Sequence, residues 1–264
     1  MTPVDIHDTD IEEATRRLRA KGEPFAIATV VRTLGLTAAK PGAKAVLGAD
    51  GSLVQGWIGG GCVRSALARS ARECLQAGGP QLISLHPSEV LAEKGVDAGE
   101  DHDGIRFARN GCPSKGSMDI FVEPILPLPE LLIYGRSPVA LALSKLAEGF
   151  QWAVQPAVAG SGLIPLPEGA RRMVVVATQG QGDLDCLKAA LDSKSEFIAF
   201  VGSRRKFAAL SQRLQDSGVA ARQLDQVRAP AGLAIDAVTP DEIALSILAE
   251  LIQQRRRDSR EAPQ

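Results

Sequence analysis

Three glycines followed by a cysteine, Gly59-Gly60-Gly61-Cys62, form the segment of this chain best suited to chemistry. Glycine has no side chain to obstruct a ligand, and a helix opening at this point adds unsatisfied N–H groups and the positive end of a dipole. Such a turn cradles an anion. The same field favours a thiolate, which makes Cys62 the candidate for a soft-metal contact or for sulfur transfer. The bland alternative is a plain chain reversal with Cys62 packed as a small apolar residue. Cys112, between Gly111 and Pro113 in a long polar segment, reads as an exposed, reactive thiol or as one without a role, whereas Cys74 and Cys186 fall beside apolar positions in helical patterns and are expected in the core.

Two later turns carry their own chemistry. Gly202-Ser203-Arg204-Arg205-Lys206 follows an apolar run and begins a helix; its glycine, hydroxyl and guanidinium groups suit a phosphate or carboxylate, or else form a solvated basic loop. Gly135-Arg136-Ser137-Pro138-Val139-Ala140 occupies a strand-to-helix turn where a dinucleotide fold places G-x-G-x-x-G/A. Ser137 replaces the second glycine, Pro138 lacks an amide donor, and Gln155 stands where an acidic ribose partner belongs, all of which weaken NAD(P) binding. Asp97, Glu100, Asp101, His102 and Asp103 read as a solvated acidic loop in preference to a metal site. His7 and His86 have no neighbouring Ser or Cys in sequence that resembles a triad.

These residues need elements to hold them. Asp10 and Glu13 have capping-box spacing and predict a first helix that stops at Gly22 and Pro24. Strands are predicted over 25–32, 45–47 and 53–54, the last two joined around Asp50-Gly51, then a helix over 63–76 and strands over 81–85 and 118–122. The segment 87–115 shows no period and is expected to lie over a site or to be mobile. Prolines from Pro124 to Pro129 mark a linker, so the domains are placed at 1–126 and 127–264. Beyond the linker, strands over 131–134, 152–158, 173–177 and 197–201 alternate with helices over 137–148, 183–191 and 206–215, the pattern of a parallel sheet covered on both faces. Thr239-Pro240-Asp241-Glu242 opens a last helix that ends in Arg255-Arg256-Arg257, a solvated basic terminus.

Composition narrows the class. The 264 residues are 45% hydrophobic, enough for one or two cored domains, and 30 basic against 31 acidic side chains leave a net charge of -1. No general field exists to grip nucleic acid or an anionic membrane, so any anion site is local. Aromatics at 4% argue against a base-stacking platform. No apolar run approaches the ~18 residues of a membrane span, the first ten residues are acidic where a signal peptide is basic and then apolar, and four cysteines without metal-type spacing suit a reducing compartment. A cytoplasmic location is expected.

Taken in order, these blocks resemble the XdhC/CoxI family of accessory proteins for xanthine dehydrogenase and carbon monoxide dehydrogenase maturation. The resemblance rests on 28–32 with Lys40-Pro41-Gly42-Ala43-Lys44, on Ile58-Gly59-Gly60-Gly61-Cys62-Val63, on Val122-Glu123-Pro124, on Val201 to Lys206, on 229–233 and on 239–244. It implies an α/β protein: an N-terminal mixed α+β XdhC/CoxI domain followed by a C-terminal Rossmann-like domain with a parallel sheet. It also implies a chaperone that is not itself an enzyme. Such a protein binds molybdenum cofactor, as molybdopterin or its cytosine dinucleotide form, assists its sulfuration with a cysteine desulfurase, and passes it to a molybdenum hydroxylase apo-enzyme. A homodimer is expected, with no nucleic acid or membrane partner. On this reading Gly59, Gly60 and Gly61 receive the cofactor's phosphate, Arg32 and Lys44 add charge, Cys62 meets the metal, Cys112 supplies a second thiol, and Gly202, Ser203 and Arg204 form a second anion site. The alternative is an NAD(P)-dependent oxidoreductase that works through the Rossmann-like half. Cys112-Pro113-Ser114-Lys115-Gly116 departs from the family, in which two glycines often follow the second cysteine. Gln179 and Gln181 stand where a histidine is common.

Overall fold

The computed structural model describes residues 8–113, 115–166 and 169–261; His7 and Ser114 lie outside them. Its contacts divide the chain into two compact units, one reaching Pro127 and the next opening at Leu128.

The first unit runs α1 (Asp8–Lys21), β1 (Phe25–Leu34), β2 (Lys44–Gly48), β3 (Leu53–Gly56), α2 (Gly61–Ala77), β4 (Gln81–His86), α3 (Ser88–Lys94), β5 (Asp101–His102), β6 (Ile105–Arg109) and β7 (Ser117–Ile125). Its seven strands form one sheet in the order β3-β2-β1-β7-β4-β6-β5. The β4–β6 pair is parallel and the other pairs are antiparallel. Side-chain alternation gives the sheet two faces. On one, Ala28 and Val30 of β1, Ile83 and Leu85 of β4, and Ile120 and Val122 of β7 pack against Val63, Leu67, Ala71 and Cys74 of α2. On the other, Ile11, Ala14 and Leu18 of α1 cover Phe25 and Val46.

The hairpin predicted at Asp50-Gly51 forms, with the Asp50 carboxylate accepting from Ser52 N–H at 2.8 Å. One expectation needs correction. Helix α1 opens at Asp8, so Asp10 lies inside it and is not its cap. The segment 87–115, for which no element is predicted, contains α3 and the β5–β6 hairpin. Its elements are too short for a period to show, yet Leu91 and Phe107 are buried in them and anchor them to the sheet.

The second unit runs β8 (Glu130–Tyr134), α4 (Pro138–Glu148), β9 (Ala153–Ala157), β10 (Arg172–Val176), α5 (Asp183–Leu191), β11 (Phe197–Phe200), α6 (Arg204–Asp216), α7 (Ala221–Leu224), β12 (Val227–Arg228) and α8 (Pro240–Glu261). All strand pairs are parallel, in the order β12-β11-β10-β8-β9. This is the doubly wound order of a Rossmann-like domain, with its switch point between β8 and β10. Odd and even strand positions feed separate cores: Leu131, Ile133 and Val175 pack with Leu143 of α4 and Leu248 of α8, and Leu132, Val174 and Phe200 with Leu187 of α5 and Leu214 of α6. The cap predicted for the last helix is present, since Thr239 Oγ1 accepts from Glu242 N–H at 3.3 Å and Glu242 Oε2 from Thr239 N–H at 2.8 Å. The basic terminus is not wholly solvated, because the Arg255 guanidinium lies 4.9 Å from the Trp152 ring centre.

Candidate functional site

Strand directions decide which loops meet. β1, β3, β4 and β6 end, and β2 and β7 begin, at the same end of the first sheet. The loops bearing Gly59 to Cys62 and Cys112 therefore gather there, beside Arg32 and Lys44. Leu36 bridges Lys115 across two of these loops, and a Cβ on Gly116 would come within 2.3 Å of the Leu36 carbonyl oxygen, so only glycine fits that crossing. A Cβ on Gly111 would lie 3.2 Å from Cys62 Sγ, which places the first thiol against the residue preceding Cys112.

The glycine turn is open. Gly60, Gly61 and Cys62 are exposed, and a Cβ at Gly60 or Gly61 would meet nothing within 4 Å. Helix α2 has no side-chain cap and no acidic residue in its first turn. Its first helical bond runs from Arg64 N–H to the Gly60 carbonyl at 3.0 Å, which leaves the N–H groups of Gly61 and Cys62 outside the ladder. Arg64 folds back so that its Nε donates to the Gly59 carbonyl at 3.3 Å. A metallo-organic anion fits this donor set, which comprises two amides outside the helical ladder and an exposed thiol.

Asn110 builds the Cys112 loop. Its backbone N–H donates to the His86 carbonyl at 2.7 Å, its Nδ2 donates to the Gly116 carbonyl at 2.6 Å, and its Oδ1 accepts from Cys112 N–H at 3.1 Å. Cys112 is consequently half-buried and not exposed. Cys74 and Cys186 are buried, and burial raises both thiols above their usual range.

Behind this loop a polar chain, buried except for Arg32, crosses three strands on the face opposite α2. Arg32 Nε donates to Asp119 Oδ2 at 2.6 Å, and Ser84 donates to Asp119 Oδ1 at 2.5 Å. His86 Nε2 lies 2.8 Å from Ser84 Oγ and His86 Nδ1 lies 2.8 Å from Ser117 Oγ. The Ser84 hydroxyl has one proton, spent on a carboxylate that can only accept, so the network assigns the ring proton of neutral His86 to Nε2. Burial is the main reason the His86 pKa falls below the usual imidazole range, with Lys94 and Arg32 adding to the fall and Asp119 opposing it. His86 therefore has two serine partners, but the acid bonds Ser84 and not the imidazole, so the group is not a triad. Arg32 is not a free anion ligand: its Nε is committed to Asp119, although 62% of the side chain remains exposed. Lys44, half-buried, opens β2 opposite Thr29.

Sequence reasoning missed Asn110, Ser84, Asp119 and the arginines Arg64, Arg69, Arg106 and Arg109. A usable signal existed in β4 and β7, where Ser84 with His86 and Ser117 with Asp119 place polar residues two apart, on one face of each strand.

In the second unit the basic turn is largely self-satisfied. Ser203 Oγ caps α6 by accepting from Lys206 N–H at 3.2 Å, and Lys206 Nζ pairs with Asp183 Oδ2 at 2.7 Å. Burial works to raise the Asp183 carboxyl; hydrogen bonds from Lys206, Thr178 and the Gly180 amide outweigh it and hold the group below the usual range. Arg204 is exposed, and Gly202 lies against the Phe200 ring, where a Cβ would come within 2.4 Å. At the switch point Ser137 Oγ accepts from Ala140 N–H at 3.2 Å and Pro138 sits at the first helical turn, so the turn after β8 satisfies its own amide. Gly135, with φ 109°, is required by the chain crossing itself, because a Cβ would come within 2.5 Å of the Ala177 carbonyl oxygen.

Comparison with known proteins agrees with this architecture. Residues 18–86 match the XdhC and CoxI family and residues 131–251 match the XdhC Rossmann domain. The chain is 29% identical to the uncharacterized protein YqeB of Escherichia coli, over 90% of this chain and 44% of that protein. It is 26% identical to the E. coli molybdenum cofactor insertion chaperone PaoD, over 95% of this chain and 89% of that protein. It is 29% identical to a Bacillus subtilis protein named as a probable component of xanthine dehydrogenase, over 53% of this chain and 47% of that protein. The chain thus spans under half the length of YqeB and of the Bacillus protein. On the two domain matches and the order of the motifs they contain, the chain belongs to the XdhC/CoxI family.

Proposed function

We propose that this chain carries molybdenum cofactor as cargo, holds it at the open end of the first sheet, and delivers it to a hydroxylase of the xanthine dehydrogenase type. One observation carries the reading: the uncapped start of α2 presents the Gly61 and Cys62 amides and the exposed Cys62 thiol to open space, with the Cys112 loop fixed beside them. The amides suit an anionic oxygen of the cofactor, and a thiol suits a soft metal. The likeness to PaoD, a protein named for cofactor insertion, runs through nearly the whole of both chains and supports the same task here. The boundary at residue 126 is proposed as the division between this cargo-bearing half and the Rossmann-like half.

Delivery requires a partner surface, and Leu34, Leu36 and Trp57 are exposed on the loops and strand ends around the same site. An apo-hydroxylase docking there would cover the cargo during transfer. Sulfuration by a cysteine desulfurase and self-association as a homodimer rest on the resemblance alone. Reconstitution tests the reading: apo-hydroxylase mixed with cofactor gains activity faster with the wild-type chain than without it, and Cys62→Ser removes the gain. Equal activation with and without the chain refutes it.

A further inference from the structure

A groove of about 210 Å³ starts at Cys62 and runs between α2 and β6. Along α2 it is lined by Cys62, Ala66, Arg69 and Glu73, positions that share one side of a helix and span about 16 Å at ~1.5 Å per residue. Ile83 and Ala108 contribute an apolar part of its lining, and Arg106 and Arg109 line it from β6. Its electrostatics are unbalanced. Arg106 is held by Glu73 at 3.2 Å and Asp101 at 3.0 Å and donates to the Gly99 carbonyl at 2.7 Å. Arg69 and Arg109 form no ion pair or side-chain hydrogen bond with any described residue. Arg106 Nε is buried without a hydrogen-bond partner among the described residues, the orphan state that a ligand oxygen relieves.

We infer that this groove is a phosphoryl-binding site, in which Arg69, Arg106 and Arg109 hold the phosphate or diphosphate of an organic ligand whose body lies on the apolar lining. Guanidinium groups match phosphate oxygens two at a time, and two unpaired like charges around one concavity are relieved by an anion set between them. In a chain of net charge -1 such a cluster is a local exception. The inference deepens the cofactor reading and rests on it for the ligand's identity, since Cys62 stands at the groove's end. The phosphoryl site itself is independent of that identity.

The test uses the whole chain and calorimetric titration with sodium pyrophosphate, and in a second arm with sodium phosphate, at low salt. Wild type should bind one pyrophosphate. Arg69→Ala with Arg109→Ala, checked for folding by its circular dichroism spectrum and thermal unfolding, should bind at least tenfold more weakly. Arg213→Ala with Arg222→Ala, exposed on α6 and α7 of the second unit, should leave the affinity unchanged. Tighter binding of pyrophosphate than of phosphate assigns a diphosphate ligand, and equal binding assigns a phosphate monoester. The inference is overturned if neither anion binds, if the groove double variant keeps wild-type affinity, or if the second-unit double variant loses it. Pyrophosphate binding in a chain that never acquires molybdenum would sink the cargo reading and leave the groove intact; acquisition of molybdenum by the groove variant at wild-type level would leave the cargo reading intact and overturn the groove's assignment to that cargo.

Discussion

Replacing Asn110 by alanine isolates the contribution of one side chain to the geometry of the site. The substitution removes the donor to the Gly116 carbonyl and the acceptor for Cys112 N–H, while the backbone bond from residue 110 to His86 survives. Each lost bond is worth about 1 kcal/mol, so the loop 110–116 should lose about 2 kcal/mol against its open form. At 1.36 kcal/mol per decade that is roughly a thirtyfold rise in the open population. Cys112 is half-buried when the loop is closed, so its rate of modification by a disulfide reagent should rise by the same factor. The assay is best done in a Cys62→Ser background, where Cys112 is the remaining thiol outside the core. A change below about threefold, with the protein folded, would mean that Asn110 does not hold this loop, and the argument would fail.

Three further outcomes are expected. The nitrogen-15 spectrum of His86 should show a neutral ring protonated at Nε2 with a midpoint below the unfolded value of about 6.5, and stability should fall as pH drops below ~6.5, because there the unfolded chain binds the proton more readily. A midpoint above that value would contradict the buried chain. Asp183 has the opposite charge type and a depressed pKa, so its contribution is complete above the unfolded carboxylate value of about 3.9 and is lost as pH falls further; Asp183→Asn should cost about 2 kcal/mol at neutral pH and flatten the acid limb in urea unfolding. An unchanged acid limb counts against the Lys206 pair. The buried Glu250 carboxylate accepts from Arg228 Nε at 2.9 Å and from Gly232 N–H at 2.7 Å, and Glu250→Ala should lower stability by about 2 to 3 kcal/mol by freeing the loop 229–232. A loss under ~0.5 kcal/mol would show the loop to be held otherwise.

The parallel sheet was legible because its strands are buried on both faces and read as unbroken apolar runs, as in Leu131 to Tyr134 and Met173 to Val176. The glycine turn was legible because glycines before a helix leave the same open amides in any context. Arg32 misled because its partner Asp119 lies 87 residues away, and a charge looks free in sequence until the sheet closes. The elements within 87–115 escaped for the same reason: α3 and β6 are stabilised by contacts with β4, not by a period of their own. The groove arginines lie on α2 and on β6, and their grouping exists only once β6 pairs with β4.

The central claim is that the start of α2 and its thiol hold molybdenum cofactor. Its most direct test is the metal and pterin content of the chain purified from cells that make the cofactor. Wild type is predicted to carry both, and Cys62→Ser, equally well folded, about tenfold less at the same chain concentration. Molybdenum and pterin absent from the wild type, or present undiminished in the variant, would contradict it.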